Sequence, residues 1–105
     1  MSFLRACALS DLAEDVPRRV ELNGVAVSVV RTDEGVFAVN DTCSHANVSL
    51  SEGEVEDCMI ECWLHGSSFD LRTGKPSGLP ATKPVAVYPV KIEGDDVLVS
   101  VNQES

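Results

Sequence analysis

An all-β fold is what this sequence predicts: an antiparallel β-barrel or sandwich with a smaller, loop-rich subdomain inserted over about residues 41–84. Three observations carry that expectation. Short β-branched runs are separated by turn residues, and nowhere does a long 3.6-residue apolar period develop. Asn23-Gly24 stands between two such runs, and this is the strongest short-range hairpin signal because both central positions of a type I′ turn need positive φ. Between Cys43 and Pro84 the runs shrink to three or four residues with long connections, and connections of that length in a compact domain are usually functional.

Taken in order, Ser10–Asp15 has room for one helical turn, with Ser10 as a candidate N-cap. Arg18–Leu22 and Val25–Arg31 form the first predicted hairpin. Asp33-Glu34-Gly35 reverses the chain into Val36–Asn40. Met59–Glu61 and Ser68–Leu71 are short strands within the insertion. Val85–Ile92 and Val97–Val101 flank Glu93-Gly94-Asp95-Asp96 as a closing hairpin. Gly24, Gly35, Gly66 and Gly74 read as turn positions with unusual dihedrals.

Size and charge narrow the function. At 105 residues the chain has room for one core, so one domain over 1–105 is expected. Eight Lys and Arg against seventeen Asp and Glu give a formal charge of −9, which argues against a phosphate backbone as natural partner. The same acidity keeps the protein soluble and can steer it towards a basic surface on a protein partner. No apolar run approaches eighteen residues, and Met1–Cys7 lacks the pattern of a secretory signal, so a cytoplasmic protein is expected. In that compartment four cysteines point to metal ligands or buried thiols rather than disulfides.

The chemistry sits in two short segments. Cys43-Ser44-His45 and, after sixteen intervening residues, Cys62-Trp63-Leu64-His65 each offer one thiolate and one imidazole, and the chain has no other histidine. Two cysteines and two histidines could hold a structural zinc, although zinc sites usually keep like ligands together in sequence. If two such loops face each other, the cysteines can bind one iron of a [2Fe–2S] cluster and the histidines the other. Cys7, in an apolar run, and Cys58, just before a strand, read as buried thiols. No serine has the base and orienting group of a hydrolytic triad, so an enzyme of that kind is not expected.

Ala38-Val39-Asn40-Asp41-Thr42-Cys43-Ser44-His45 and Cys62-Trp63-Leu64-His65-Gly66-Ser67-Ser68-Phe69-Asp70, followed by Thr73-Gly74, resemble the two cluster-binding loops of Rieske proteins. Gly78-Leu79-Pro80 falls where that family carries a third, proline-containing loop over the cluster. The resemblance runs from about Leu4 to Val101. It implies the Rieske/ISP-like fold and one [2Fe–2S] cluster held by Cys43, His45, Cys62 and His65. It also leaves no place for the second domain that a Rieske oxygenase needs for its mononuclear iron. Val48 and Leu64 stand where high-potential relatives place an extra disulfide, and Phe69 stands where they place a tyrosine. Ser67 matches a serine that donates to a bridging sulfide. Hydrogen bonds to the sulfurs favour the reduced cluster, so losing one lowers the potential. Trp63, Leu64, Leu79 and Pro80 are candidates to shield the cluster or to meet a partner.

What the resemblance implies is a low-potential one-electron carrier with no bond chemistry of its own. As a monomer it would pass electrons from a flavin-dependent NAD(P)H reductase to the terminal oxygenase of an aromatic-ring dioxygenase system. Two other readings stay open at this point. One is a small Rieske subunit of a nitrite-reductase-like enzyme or a protein of iron–sulfur assembly. The other is a zinc-stabilised binding module.

Overall fold

The computed structural model describes residues 3–42, 48–63, 67–77 and 83–101. Among these, ten strands form three antiparallel sheets, and the helical content is two 3-10 turns, Leu9–Asp11 and Leu50–Glu52. The strands are β1 (Leu4–Ala8), β2 (Arg18–Leu22), β3 (Val25–Thr32), β4 (Gly35–Asn40), β5 (Val55–Glu56), β6 (Met59–Glu61), β7 (Ser68–Asp70), β8 (Val87–Tyr88), β9 (Val90–Glu93) and β10 (Asp96–Val99). The sheets run in the orders β1-β10-β9, β2-β3-β4-β8 and β5-β6-β7.

The four-stranded sheet is the middle layer, and β3 shows why. Val27 and Val29 point into a core shared with Cys7, Leu22, Ala38, Tyr88, Val97 and Val99. Val30, from the other face, joins a second core with Val39, Leu50, Val55, Ile60, Phe69, Leu71 and Val85. A strand covered on both faces cannot alternate apolar and polar residues, and the run from Val27 to Val30 is buried throughout. The second core fastens the small sheet β5-β6-β7 to the larger body.

The turns follow backbone chemistry. Asn23 (φ 54°) and Gly24 (φ 83°) are both left-handed, as the Asn-Gly signal requires. Gly74 (φ 82°) takes positive φ where a Cβ would lie 2.2 Å from the Val85 carbonyl oxygen. Gly35 (φ 137°) opens β4. Asp57 (φ 55°) and Cys58 (φ 61°) make a second left-handed pair between β5 and β6, without a glycine. The β-hairpin there escapes a sequence reading because Asp57, which tolerates the left-handed region, is followed by Cys58 where a glycine would complete the usual signal.

Three expectations need correction. The helical turn is shorter, Leu9–Asp11, and Ser10 does not cap it. Ser10 instead gives its backbone N–H and its hydroxyl to the Asp95 carboxylate, at 3.1 and 2.9 Å, because the neighbouring β1 pairs with β10 and brings the β9–β10 turn alongside. The apolar run around Cys7 is itself a strand, β1. Val85–Ile92 is broken at Pro89, which cannot donate to a ladder, so β8 pairs with β4 while β9 pairs with β10.

Across the outside, Arg72 donates to both Glu34 carboxylate oxygens (3.0 and 3.3 Å) and to Asp70 (3.0 and 3.3 Å). The pair links the β3–β4 turn to the end of β7. These groups are exposed, so solvent screening leaves the link little to contribute.

Candidate metal centre

The second ligand segment leaves the end of β6. Glu61 pairs with Ser68 in the β6–β7 register, and the Cys62 N–H donates to the Ser67 carbonyl at 2.6 Å. That bond closes the chain over residues 63–66. Cys62 is fully buried, its thiol is free, and it packs in the same core as Ile60 and Phe69. Ser67 is buried and Phe69 fully so. Trp63 points outward, half exposed, beside the buried cysteine. Leu64, His65 and Gly66 lie outside the described residues.

The first ligand segment is closed in the same manner. Thr42 and Ser49 form an antiparallel bridge, and the Leu50 N–H donates to the Asp41 carbonyl. Cys43 and His45 lie outside the described residues, but both flanks of their loop are fixed. Entering it, Asn40 accepts the Thr42 N–H at 2.9 Å and donates from Nδ2 to the Tyr88 hydroxyl at 3.0 Å. Leaving it, Val48 packs on the core that Leu50 and Cys62 share. One apolar cluster therefore seats the bases of both loops.

A third segment, holding Leu79 and Pro80, also lies outside the described residues. Its flanks are tied to the second loop. Pro76 bridges Phe69, the Ser77 N–H donates to the Ser68 carbonyl at 2.8 Å, and the Val85 N–H donates to the Gly74 carbonyl at 2.9 Å.

The remaining thiols do different work. Burial pushes the Cys7 thiol up, and burial does the same to Cys58, partly offset by a hydrogen bond from Thr32. Both stay protonated and unreactive in their cores, which fits their reading as packed thiols. A cavity of about 310 Å³ on the small sheet is lined by Glu54, Glu56, Asp57, Met59, Glu61, Ser68 and Ser77. Among the described residues Cys62, the one expected ligand they include, does not line it, and its carboxylates make it acidic.

Two residues that flank the first ligand segment were not singled out in sequence. Asp41 is a buried carboxylate at the loop entrance, and Gly53 lets the Leu50–Glu52 turn lie against the end of β6. A buried, unbridged cysteine at the mouth of a closed loop, seated on the same core as the partner loop, fits an iron–sulfur cluster held between the loops. Two thiolates and two imidazoles are the donor set that a Rieske centre uses.

Residues 2–89 match the Rieske [2Fe–2S] domain family. The chain belongs to that family. Its cofactor is a Rieske-type [2Fe–2S] cluster, which decides against the zinc module. The biphenyl 2,3-dioxygenase ferredoxin component of Rhodococcus jostii is 44% identical over 96% of this chain and 94% of its own length. Among solved structures, the ferredoxin of carbazole 1,9a-dioxygenase from Nocardioides aromaticivorans superposes with a TM-score of 0.91. It is 37% identical over 95% of this chain and 98% of that one. A chain in the complex of reduced oxygenase and oxidised ferredoxin of carbazole 1,9a-dioxygenase gives a TM-score of 0.90. That match is 36% identical and covers 98% of this chain and 96% of that chain. The Rieske protein described here is accordingly a ferredoxin, an electron carrier of the kind that serves dioxygenase systems rather than a catalytic subunit.

Proposed function

We propose that Cys43 and Cys62 bind one iron of the cluster as thiolates, that His45 and His65 bind the other through ring nitrogens, and that residues 41–84 form the cluster-binding subdomain. When bound, the cluster takes up and releases one electron. The chain supplies the rest. Backbone hydrogen bonds at the base of each loop, on one apolar core, fix where the two ligand segments leave the sheets.

The donor is a flavin-dependent NAD(P)H reductase, and the acceptor is the terminal oxygenase of a multicomponent aromatic-ring dioxygenase. The full-length similarity to ferredoxin components, one of them solved together with its oxygenase, is the observation that carries this reading. The half-exposed Trp63 beside the buried Cys62 offers an aromatic anchor for a transient partner. Val48, Leu64 and Phe69 leave the site without the extra disulfide and the phenol of high-potential relatives, so the potential lies low in the Rieske range, near about −150 mV. The protein works as a monomer in the cytoplasm, where Cys7, Cys58 and Cys62 remain free thiols when no metal is bound.

Iron and acid-labile sulfide analysis of natively expressed protein, with electron transfer from a class-matched reductase to an oxygenase, tests the proposal. The expected result is about two irons and two sulfides per chain, with reduction by the flavoprotein and reoxidation by the oxygenase. A potential above about +200 mV, high in the Rieske range, would overturn the low-potential carrier role.

A further inference from the structure

Asp41 is 2% exposed, the deepest carboxylate among the described residues. Taking a carboxylate out of water is costly unless it is paired and hydrogen-bonded. Three donors compensate it. Ser51 gives its backbone N–H to Oδ1 at 2.9 Å, the Ser49 hydroxyl donates to Oδ2, and Arg19 Nε lies 3.3 Å from Oδ2. The Ser49 and Ser51 hydroxyls are themselves 3.0 Å apart, so the second serine extends the same network.

The placement of these donors gives Asp41 a role beyond its own solvation. Asp41 stands at the entrance of the segment carrying Cys43 and His45, while Ser49 and Ser51 stand at its exit. Arg19 comes from β2, an element that contributes nothing else to the site. The backbone of Asp41 is pinned as well, its N–H to the Ala26 carbonyl at 3.0 Å and its carbonyl to the Leu50 N–H. A single side chain therefore ties loop entrance, loop exit and barrel wall together. Arg19 is half exposed and also meets Glu21 at 3.3 Å, so it supplies the counter-charge from the surface while the carboxylate stays inside.

We infer that Asp41 is a positioning residue for the cluster: its carboxylate clamps the loop that holds Cys43 and His45, with Arg19 as the balancing charge. The inference rests on the proposed ligation by those two residues. Groups that orient metal ligands without touching the metal commonly change metal affinity about 10–100-fold when removed.

The test compares parent, Asp41→Asn, Arg19→Gln, the double variant and Cys43→Ser, each as purified cluster-bearing protein. Asp41→Asn keeps the side-chain shape but replaces an acceptor oxygen with a donor facing donors. Loss of visible absorption under a chelator gives cluster release, and electron paramagnetic resonance of the reduced protein reports ligand geometry. Asp41→Asn should release the cluster about tenfold faster or more and shift the g-values. Arg19→Gln should act in the same direction but less. The double variant should be no worse than Asp41→Asn alone, since both changes break one clamp. If Asp41→Asn cannot be purified folded, accelerated release in Arg19→Gln and in Ser49→Ala supports the clamp, and parental release in both overturns it. Parental release and g-values in Asp41→Asn overturn it as well. Should Cys43→Ser keep an unchanged cluster, the ligand assignment fails and the clamp with it. A Cys43→Ser variant without the parental cluster, beside a parental Asp41→Asn, confines the failure to the clamp.

Discussion

Replacing Gly53 by alanine should unseat the cluster although residue 53 is no ligand. Its φ of −91° and ψ of −166° suit any residue, so backbone strain is not the reason. Space is. An added Cβ would sit 1.7 Å from the Glu61 carbonyl oxygen and 2.9 Å from its carbon, where ordinary contact begins at 3.4 Å. Both neighbours are backbone and cannot rotate away, so the Leu50–Glu52 turn and the end of β6 must part by about 1.7 Å, the shortfall from ordinary contact. Glu61 then loses its 2.8 Å hydrogen bond to the Glu54 carbonyl. Overpacking of this sort costs about 1–3 kcal/mol and the hydrogen bond about 1 more. The expected destabilisation of about 2–4 kcal/mol corresponds to a fall in Tm of about 8–16 °C for a domain of this size. Cys62 follows Glu61 directly, so the displacement also reaches a proposed ligand. Thermal denaturation followed by circular dichroism, with iron content per chain, reads both effects. A variant with full iron content and a Tm within about 2 °C of the parent, well inside the expected shift, would refute the packing argument.

Other substitutions probe tuning and pH. Phe69→Tyr should raise the potential by tens of millivolts if the phenol reaches a ligand sulfur, because a hydrogen bond to a charged acceptor contributes roughly 1.5–3 kcal/mol and part of that favours the reduced state; voltammetry at one pH on both proteins decides it. His65→Cys adds a negative ligand, and any cluster that assembles should move towards about −400 mV. An assembled variant with an unchanged potential would show that His65 does not bind iron. The Arg72 guanidinium holds the Asp70 carboxyl below its usual value, mainly by direct hydrogen bonding. A depressed carboxylate stabilises the fold above its unfolded pKa of about 3.9 and loses that contribution as pH falls through its folded value. Acid unfolding of Arg72→Gln should therefore begin at higher pH than in the parent, and coincident acid transitions would show that the pair does not matter.

The fold was legible wherever local chemistry sets it. Asn23-Gly24 specifies its own turn, and the β-branched runs on either side specify strands. The Asp57-Cys58 turn was not legible, because the second positive φ falls on Cys58, where the usual signal has glycine. The β5–β6 register holds them there through Cys58, which is buried in the second core. Likewise, Ser10 has the chemistry of a helix cap, yet a partner 85 residues away in sequence, Asp95, takes its hydroxyl. Long-range pairing overrode a sound local preference.

The site divides along the same line. Metal-binding chemistry is carried by residue type and spacing, so the two Cys-and-His segments announce themselves in a chain with only two histidines. The groups that hold those segments in place carry no such signal. Asp41 reads as one acid among seventeen acidic residues, and Gly53 reads as a surface turn. Each acquires its role only when a distant element arrives: Arg19 from β2 beside the Asp41 carboxylate, Glu61 from β6 against the bare Cα of Gly53. Both belong to the stretch from Asp41 to Gly53 that encloses the first loop, and both brace it against something outside that stretch. A Rieske carrier needs its ligands to stay still as the charge on the cluster changes by one electron. In this chain the described flanks of the first loop are braced by backbone packing and one buried carboxylate, contacts that ligand spacing does not encode.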